Sequence, residues 1–274
     1  MRLDRHTRRA ARLVLFLLAS LATPVAAQQS KKQAEQPPLR LLLNVPENRL
    51  YVYENGVRTH KFRIAVGLPG YETPAGNYSI RQVIWNPWWH PPDSEWARGR
   101  KAEPPGAATN PMGRVKLNFS ELLYIHGTPE LQSLGRATSR GCVRMANEDV
   151  IVLTRLVHKY ASPSVSEELI ARLEQNRTDT HAIPLARAVP FKVVYSVAAI
   201  TEGFLHLYPD LYGLVGEDYE DQVWSVLEDA GIGRKDVDHE KLDRLLSKGP
   251  KKKVAMSIDT LTTVSATVSS TNHR

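Results

Sequence analysis

The residues best suited to chemistry are a lone cysteine and a histidine that precedes it. Cys142 is the single cysteine of the 274 residues and lies in the run TSRGCVRM, residues 138–145. His126 comes shortly before it, at the end of a segment with strand character. A thiolate attacks carbonyl carbon, and a nearby histidine can pair with it or remove the thiol proton. The pair is typical of a cysteine-dependent enzyme; a structural cysteine and a histidine in a turn are the alternative.

The residues around the cysteine favour acyl transfer. Gly141 allows close backbone approach, so the amides of residues 141 and 142 are predicted to bind the oxyanion of a tetrahedral intermediate. Arg140 and Arg144 flank the nucleophile, where positive charge favours the thiolate and binds a substrate carboxylate. Tyr124 is expected to pack or hydrogen-bond beside the site, with direct substrate contact as the lesser alternative. Nothing in this run requires a metal or another cofactor.

Short strands separated by turns are predicted to position these residues. Asn55-Gly56 is a strong hairpin signal, because both residues tolerate positive φ. Residues 86–113 are dense in Pro, Gly and Trp and have no regular period, which predicts a lid or binding loop. The predicted strands are Leu39–Val45, Arg49–Glu54, Arg58–Val66, Asn77–Trp85, Val115–His126, Val189–Ile200 and Phe204–Tyr208.

Helical periodicity follows the cysteine. Asn147 is the predicted N-cap of a helix that reaches Tyr160, and SVSE at residues 164–167 is a predicted capping box for a helix that ends near Glu174. Two further helices are predicted, over Tyr219–Ala230 and near Val237–Leu246.

The first 27 residues are predicted to direct export to the periplasm or cell envelope. Five arginines surround the start of an apolar core, Leu13–Leu21, and small residues follow Pro24. This core is too short to span a bilayer, so a signal peptide is predicted, with an uncleaved anchor as the alternative. Membrane contact is expected only through this segment during export. In such a compartment cysteines are normally paired, which makes a lone one a candidate reactive thiol.

The charge of the exported chain argues against nucleic-acid binding. Loss of residues 1–27 removes five arginines and one aspartate and lowers the formal charge from +7 to +3. A balance this modest does not favour nucleic acid and is compatible with a carboxylate-rich cell-wall polymer.

One catalytic domain with a helical extension is the predicted organisation. The tail is rich in Ser, Thr and Val, so strand pairing is the alternative to disorder there. The predicted segments are 1–27 signal peptide, 28–38 linker, 39–208 catalytic domain with a helical insertion at about 161–186, 209–248 helical C-terminal extension, and 249–274 disordered tail.

Four ordered motifs resemble the signature of the L,D-transpeptidase family, which has a YkuD-like catalytic domain. HGT at residues 126–128 and SRGCVRM at residues 139–145 resemble the family's histidine and cysteine block. Upstream, TPAGNY at 73–78, NPWWHPP at 86–92 and NPMG at 110–113 resemble its turn and loop motifs. The resemblance covers roughly residues 39–160, with a closing strand near 189–197.

The resemblance implies a fold and a reaction. The fold would be mainly β with helices: a β-sandwich catalytic domain, with the cysteine at the end of a groove under a lid, and a small α-helical C-terminal extension. Cys142 would attack the carbonyl of the L-centre of meso-diaminopimelate in a peptidoglycan tetrapeptide stem and release the terminal D-Ala. The thioester would pass to an amine of another stem, so stem peptides are the implied donor and acceptor and a 3–3 cross-link is the product.

The resemblance also assigns roles to single residues. His126 maps onto the family's base, the Gly127 carbonyl onto the group that orients it, and Arg144 onto a position that binds substrate or supports the site. Ser139 belongs to the same block and is expected at the oxyanion or substrate site. Many members have a second histidine where this chain has Arg140; since arginine stays protonated, His126 must accept the proton alone.

Three aromatic residues of the predicted lid are candidates for substrate contact. Trp88 and Trp89 are candidates to stack on sugar or stem peptide, with packing of the loop onto the core as the equal alternative. His90 is expected to cap a turn, with substrate contact as the lesser alternative. The other histidines lack ligand spacing, so no zinc site is predicted.

Three further functions stay open. The same fold would serve an L,D-carboxypeptidase or an enzyme that attaches an envelope protein to peptidoglycan. A non-catalytic peptidoglycan-binding scaffold is the alternative of another class.

Overall fold

The computed structural model describes residues 37–249 and 251–263. The predicted signal peptide, most of the predicted linker and residues 264–274 of the predicted tail lie outside the described residues. The described strands are Leu39–Asn44 (β1), Arg49–Glu54 (β2), Val57–Gly67 (β3), Gly76–Trp85 (β4), Val115–Asn118 (β5), Tyr124–Thr128 (β6), Ala137–Ser139 (β7), Val143–Ala146 (β8), His181–Val194 (β9), Ala198–Thr201 (β10), Phe204–Leu207 (β11) and Val254–Ser257 (β12). The described α-helices are Asn147–Ala161 (α1), Glu167–Gln175 (α2), Tyr219–Asp229 (α3), His239–Leu246 (α4) and Ile258–Leu261 (α5).

Nine of these strands form one sheet that folds back on itself. The order is β2-β1-β9-β4-β5-β6-β8-β3-β7, and β2 pairs with β3 as well. This extra pairing closes the sheet, so its inner face becomes a core. The predicted mainly β, sandwich-like architecture is confirmed. The predicted hairpin is also confirmed, because Asn55 and Gly56 adopt φ values of 50° and 85° between β2 and β3.

Helix α1 lies against this sheet and carries an apolar stripe. Val150, Leu153 and Val157 are fully buried and recur at helical spacing. The stripe contacts β5, β6, β8 and β9, so the helix supports the strands on either side of the cysteine. Across the part of the chain that the structure describes, no helix combines the length and apolar character needed to cross a bilayer.

Residues 197–263 build a second core beside the large sheet. Strands β10, β11 and β12 pair antiparallel, and α3 and α4 bury residues that include Val223, Trp224, Leu227 and Leu242 against them. The boundary predicted at residue 208 is wrong, because β10 and β11 pair with β12 rather than with the large sheet. The prediction of a disordered tail is wrong for residues 251–263, since β11 satisfies the backbone of β12 and α5 follows.

The predicted helical insertion at about 161–186 is too long. Helix α2 ends at Gln175, and β9 already begins at His181 and runs to Val194, whereas the predicted strand began at Val189. Two prolines and a mostly exposed first half hide this strand in the sequence. It forms because Trp85 and its neighbours in β4 pair with it from His181 onward.

Both predicted helix caps differ in the structure. Asn147 is the first helical residue rather than the N-cap, and its side-chain oxygen accepts a hydrogen bond from the Arg114 amide instead, at 2.9 Å. Helix α2 is capped by Ser166, whose hydroxyl oxygen accepts from the Leu169 amide at 3.2 Å, and not by Ser164.

This cap supplies a stability test. Ser166→Ala removes the acceptor of an otherwise unsatisfied helical N–H and is expected to lower the free energy of unfolding by about 1 kcal/mol in urea denaturation. Ser164→Ala is the matched control, since Ser164 is exposed and outside the helix, and no comparable loss is expected. An equal loss in both variants would contradict the assigned cap.

Candidate active site

Three neighbouring strands bring the candidate residues to one face of the sheet. Strand β5 pairs with β6 so that Lys116 lies opposite His126, and β6 pairs with β8 in parallel so that His126 lies beside Arg144. Side chains alternate along a strand, so Tyr124 and His126 share a face. Cys142 directly precedes β8, and extending the same register by one residue places it beside Tyr124. The register therefore places Cys142 and His126 on the same face of neighbouring strands.

His126 is held as a neutral base. Its side chain is only 2% exposed, and burial lowers its pKa to about 4, with Arg144 and Lys116 opposing protonation further. Its Nδ1 lies 2.7 Å from the Gly127 carbonyl oxygen. Only a protonated Nδ1 can donate to a carbonyl, which leaves Nε2 as the unprotonated nitrogen. The Gly127 carbonyl therefore orients the ring, and the Pro111 carbonyl is a second backbone group that acts on it.

Cys142 rests as a thiol. Burial raises its pKa, although the positive charges of Arg144 and Lys116 act in the opposite direction. The Sγ atom lies 3.7 Å from the Leu122 carbonyl oxygen, a contact that suits a protonated sulfur. With a neutral imidazole beside a neutral thiol, the arrangement favours proton removal during attack over a preformed thiolate–imidazolium pair.

Hydrogen bonds fix the two peptides on either side of Cys142. Gly141 adopts a φ of 97°, a conformation that L side chains rarely adopt. The Thr73 hydroxyl donates to the Gly141 carbonyl at 2.9 Å, and the Ser139 hydroxyl donates to the Cys142 carbonyl. Thr73 and Ser139 are both buried, at 2% and 1% exposure. Ser139 thus supports the loop backbone, and its only hydroxyl proton is used there.

The strand that carries the histidine is positioned by close backbone packing. A Cβ at Gly127 would lie 2.3 Å from Asn147 Oδ1, and one at Gly113 would meet that same oxygen at 2.3 Å. Asn147 Oδ1 accepts from the Arg114 amide. The NPMG motif is therefore locked against β6 through the first residue of α1, and only glycine fits at positions 113 and 127.

Arg144 and Tyr124 have partners of their own at the rim of the site. Arg144 Nη1 lies 2.9 Å from Glu130 Oε2, with the arginine side chain 16% exposed. The ring of Tyr124 lies under Lys116, with Nζ 4.6 Å from the ring centroid. Lys116 is therefore held over the face of the Tyr124 ring.

Arg140 is placed differently from its prediction. It is exposed, and its guanidinium carbon lies 4.1 Å from the ring centroid of Trp96 and 5.8 Å from that of Tyr71. The cations that lower the thiol pKa are Arg144 and Lys116. Arg140 instead joins the lid to the turn at residues 67–76, because a planar guanidinium stacks on aromatic faces.

The lid residues divide into a buried and an exposed group. Trp89 is 5% exposed, pairs through its backbone with Glu103 and stacks under Arg100, so it packs the loop. Trp88 is 45% exposed and stacks on His90, their ring centroids 6.0 Å apart. Of the three candidate residues, Trp88 and His90 present surface that a ligand can reach from solvent, and Trp89 does not.

Three residues of the site escape prediction from the sequence. Lys116 and Trp96 stand in no motif, and only the strand register and the folded lid bring them near Arg144 and Arg140. Thr73 belongs to the TPAGNY motif, which marks it, but its contact with Gly141 requires the fold. Among the described residues, no three His, Cys, Asp or Glu side chains are arranged to hold a metal ion.

Comparison with known proteins bears on the family that this chain resembles. Residues 38–165 match the family model of the L,D-transpeptidase catalytic domain, YkuD. A probable L,D-transpeptidase YbiS of Escherichia coli strain K12 is 35% identical over 118 residues, which are 40% of this chain and 39% of the relative. A probable L,D-transpeptidase ErfK/SrfK of Salmonella typhimurium is 33% identical over 118 residues, 40% of this chain and 38% of the relative. This chain thus spans well under half of both relatives.

Two further matches extend the comparison. A putative L,D-transpeptidase YkuD of Bacillus licheniformis is 34% identical over 121 residues, 44% of this chain and 61% of the relative. A solved structure of an L,D-transpeptidase from Mycobacterium smegmatis aligns over 57% of this chain and 58% of that chain, at 11% identity and a TM-score of 0.38. The family model and the sequence relatives confirm the predicted resemblance: residues 38–165 are similar to the L,D-transpeptidase catalytic domain of the YkuD family.

The charge at Lys116 yields a test by thiol alkylation. Lys116 lowers the pKa of Cys142, so Lys116→Met is expected to raise that pKa and to slow alkylation by iodoacetamide at pH 8 about threefold. The rate is measured by intact-mass spectrometry over pH 7–10. Lys192→Met, an exposed lysine of β9, is the matched control and is expected to alkylate at the native rate. A Lys116 variant with an unchanged pH profile would contradict the placement of this charge.

Proposed function

We propose that this protein is an L,D-transpeptidase of the bacterial envelope that uses Cys142 as nucleophile on peptidoglycan tetrapeptide stems. The family match and its relatives support the class of enzyme. The observation that carries the chemistry is the buried neutral His126, fixed by the Gly127 carbonyl on the same sheet face as Cys142. The predicted export segment, residues 1–27, would place the enzyme with this substrate.

The first half-reaction acylates the cysteine. The Cys142 sulfur attacks the carbonyl of the L-centre of meso-diaminopimelate while His126 Nε2 takes the thiol proton. The tetrahedral intermediate then collapses, and the peptide C–N bond breaks. The departing D-Ala amine takes the proton from His126, which leaves a thioester on Cys142 and a neutral histidine.

Fixed dipoles and charges lower the barrier to this attack. The amides of residues 141 and 142 are proposed to bind the developing oxyanion, and their orientation is set by Gly141 and its hydrogen-bonded carbonyl. Arg144 and Lys116 favour negative charge on sulfur. Both cations also lower the pKa of His126, so the imidazole is neutral before the attack and, once protonated, readily gives its proton to the leaving amine.

The second half-reaction depends on the acceptor. An amine of a second stem, deprotonated by His126, would give the 3–3 cross-link. Water would give a tripeptide and an L,D-carboxypeptidase, and an amine of an envelope protein would attach that protein to the wall. These three reactions share one thioester intermediate and differ only in the acceptor that attacks it.

An assay with disaccharide-tetrapeptide tests the proposal. The protein is expected to release D-Ala and to form a cross-linked dimer, as seen by mass spectrometry. Cys142→Ala and His126→Gln are each expected to lower the rate by at least about 1000-fold, because nucleophile and base act as a unit. Ser164→Ala, remote from the site, should react as the native protein.

The products separate the alternatives. A tripeptide without dimer would favour water or a protein as acceptor and contradict stem-to-stem transfer. Incubation with a carbapenem should increase the mass of the native protein by the mass of one carbapenem and leave the mass of Cys142→Ala unchanged. If neither turnover nor a Cys142 adduct occurs, the enzyme proposal fails and the peptidoglycan-binding scaffold takes its place.

The pH dependence of acylation tests the protonation state. Because the pKa of His126 lies at about 4 rather than 6.5, about nine-tenths of the imidazole is neutral at pH 5. Carbapenem acylation, followed by intact mass, is therefore expected to lose less than about twofold between pH 7 and pH 5. An acid limb with its midpoint near pH 6.5 would mean that the histidine titrates as if exposed and would contradict the neutral base.

A further inference from the structure

One tyrosine beyond the catalytic domain reaches the turn that supports the nucleophile. Tyr212 lies between β11 and α3, outside the segment that matches the family model. Its hydroxyl donates to the Gly67 carbonyl at 2.7 Å and accepts from the Thr73 amide at 3.2 Å. A single hydroxyl group thereby joins the two ends of the turn 67–73.

The position of this tyrosine is itself fixed. The Tyr212 amide donates to the Tyr195 hydroxyl at 2.7 Å, and that hydroxyl donates to Asp210 Oδ1, also at 2.7 Å. The Asp210 carboxylate accepts from the amides of residues 214, 215 and 216, each at 3.0 Å. The rings of Tyr195 and Tyr212 pack at 5.4 Å between centroids. The segment 208–216 is therefore a braced support rather than a loose connection.

From Tyr212 the contacts continue to the reacting cysteine in two steps. Thr73 is 2% exposed, and its hydroxyl accepts from the Gly67 amide and donates to the Gly141 carbonyl, both at 2.9 Å. Carbonyl and amide groups of a trans peptide point in opposite directions. A Gly141 carbonyl held toward Thr73 therefore directs the Cys142 N–H away from Thr73, and this N–H is the proposed oxyanion donor.

We infer that Tyr212 is a positioning residue for acyl transfer: through Thr73 it sets the orientation of the Gly141–Cys142 peptide that stabilises the oxyanion. This inference rests on the proposed function of Cys142 as an acyl-forming nucleophile. It gives the segment after β11 a part in catalysis, because the turn that orients the oxyanion donor is closed by a residue from that segment.

Two reactions of the same thiol separate positioning from a general structural effect. In carbapenem acylation the sulfur–carbon bond forms, the β-lactam C–N bond breaks, and an oxyanion develops on the carbonyl oxygen. Alkylation by iodoacetamide displaces iodide from a methylene carbon and develops no carbonyl oxyanion. Tyr212→Phe, in the full chain, is expected to slow acylation about tenfold and to change the alkylation rate and its pH profile by less than about twofold.

Matched variants sharpen the comparison. Tyr160→Phe removes a hydroxyl that donates to Glu54 Oε2 at 2.9 Å, away from the site, and is expected to leave both rates unchanged. Thr73→Ser keeps the hydroxyl and is expected to retain acylation, whereas Thr73→Val loses it. The double variant Tyr212→Phe/Thr73→Val should be little slower than Thr73→Val alone, because both act through one path.

The outcomes are distinct. Acylation slowed with alkylation unchanged supports the inference. The inference is overturned if Tyr212→Phe slows both reactions equally, or if this variant is acylated at the native rate. In either case, acylation of Cys142 in the native protein leaves the proposed function standing. A native protein that is alkylated but never acylated overturns the proposed function and this inference together.

Discussion

The parallel pairing of β6 with β8 is the constraint on which the site depends. In this register His126 lies beside Arg144, and one residue past the ladder Cys142 lies beside Tyr124. Successive side chains of a strand point to opposite faces, so a slip of one residue would turn the cysteine away from the histidine. Two features help to hold this register. Helix α1 packs on the strands, and its Asn147 accepts a hydrogen bond from the Arg114 amide. The sheet itself is closed.

Burial then decides the chemistry that this geometry performs. Removing charge from water is costly, so both members of the pair rest uncharged: the pKa of His126 falls to about 4 and that of Cys142 rises. Arg144 and Lys116 add positive potential without entering a proton transfer. Under the proposed function, the thiolate would form only as the carbonyl is attacked, which would protect a lone thiol from reaction while no substrate is bound.

Polar contacts join the second core, built by residues 197–263, to the large sheet close to the proposed nucleophile. The carboxylate of Asp210 gathers the amides of a tight turn, Tyr195 links this turn to the end of β9, and Tyr212 reaches the support of the nucleophile. Oxyanion stabilisation depends on dipoles that do not move during the reaction. If the proposed function holds, Tyr212 would therefore affect the reaction without any contact with substrate.

Features that depend on neighbouring residues alone could be predicted from the sequence. They are the Asn55-Gly56 hairpin, the strands near the N-terminus of the domain, and the Cys142 and His126 motifs. Three features differ from the sequence predictions: the start of β9, the caps of α1 and α2, and the extent of the second core. They differ because pairing partners far along the chain decide them. Lys116, Trp96 and Tyr212 carry no local signal at all. They join the site only because a closed sheet and a packed second core bring distant segments within hydrogen-bonding and stacking distance, and such long-range contacts leave no trace in short-range patterns.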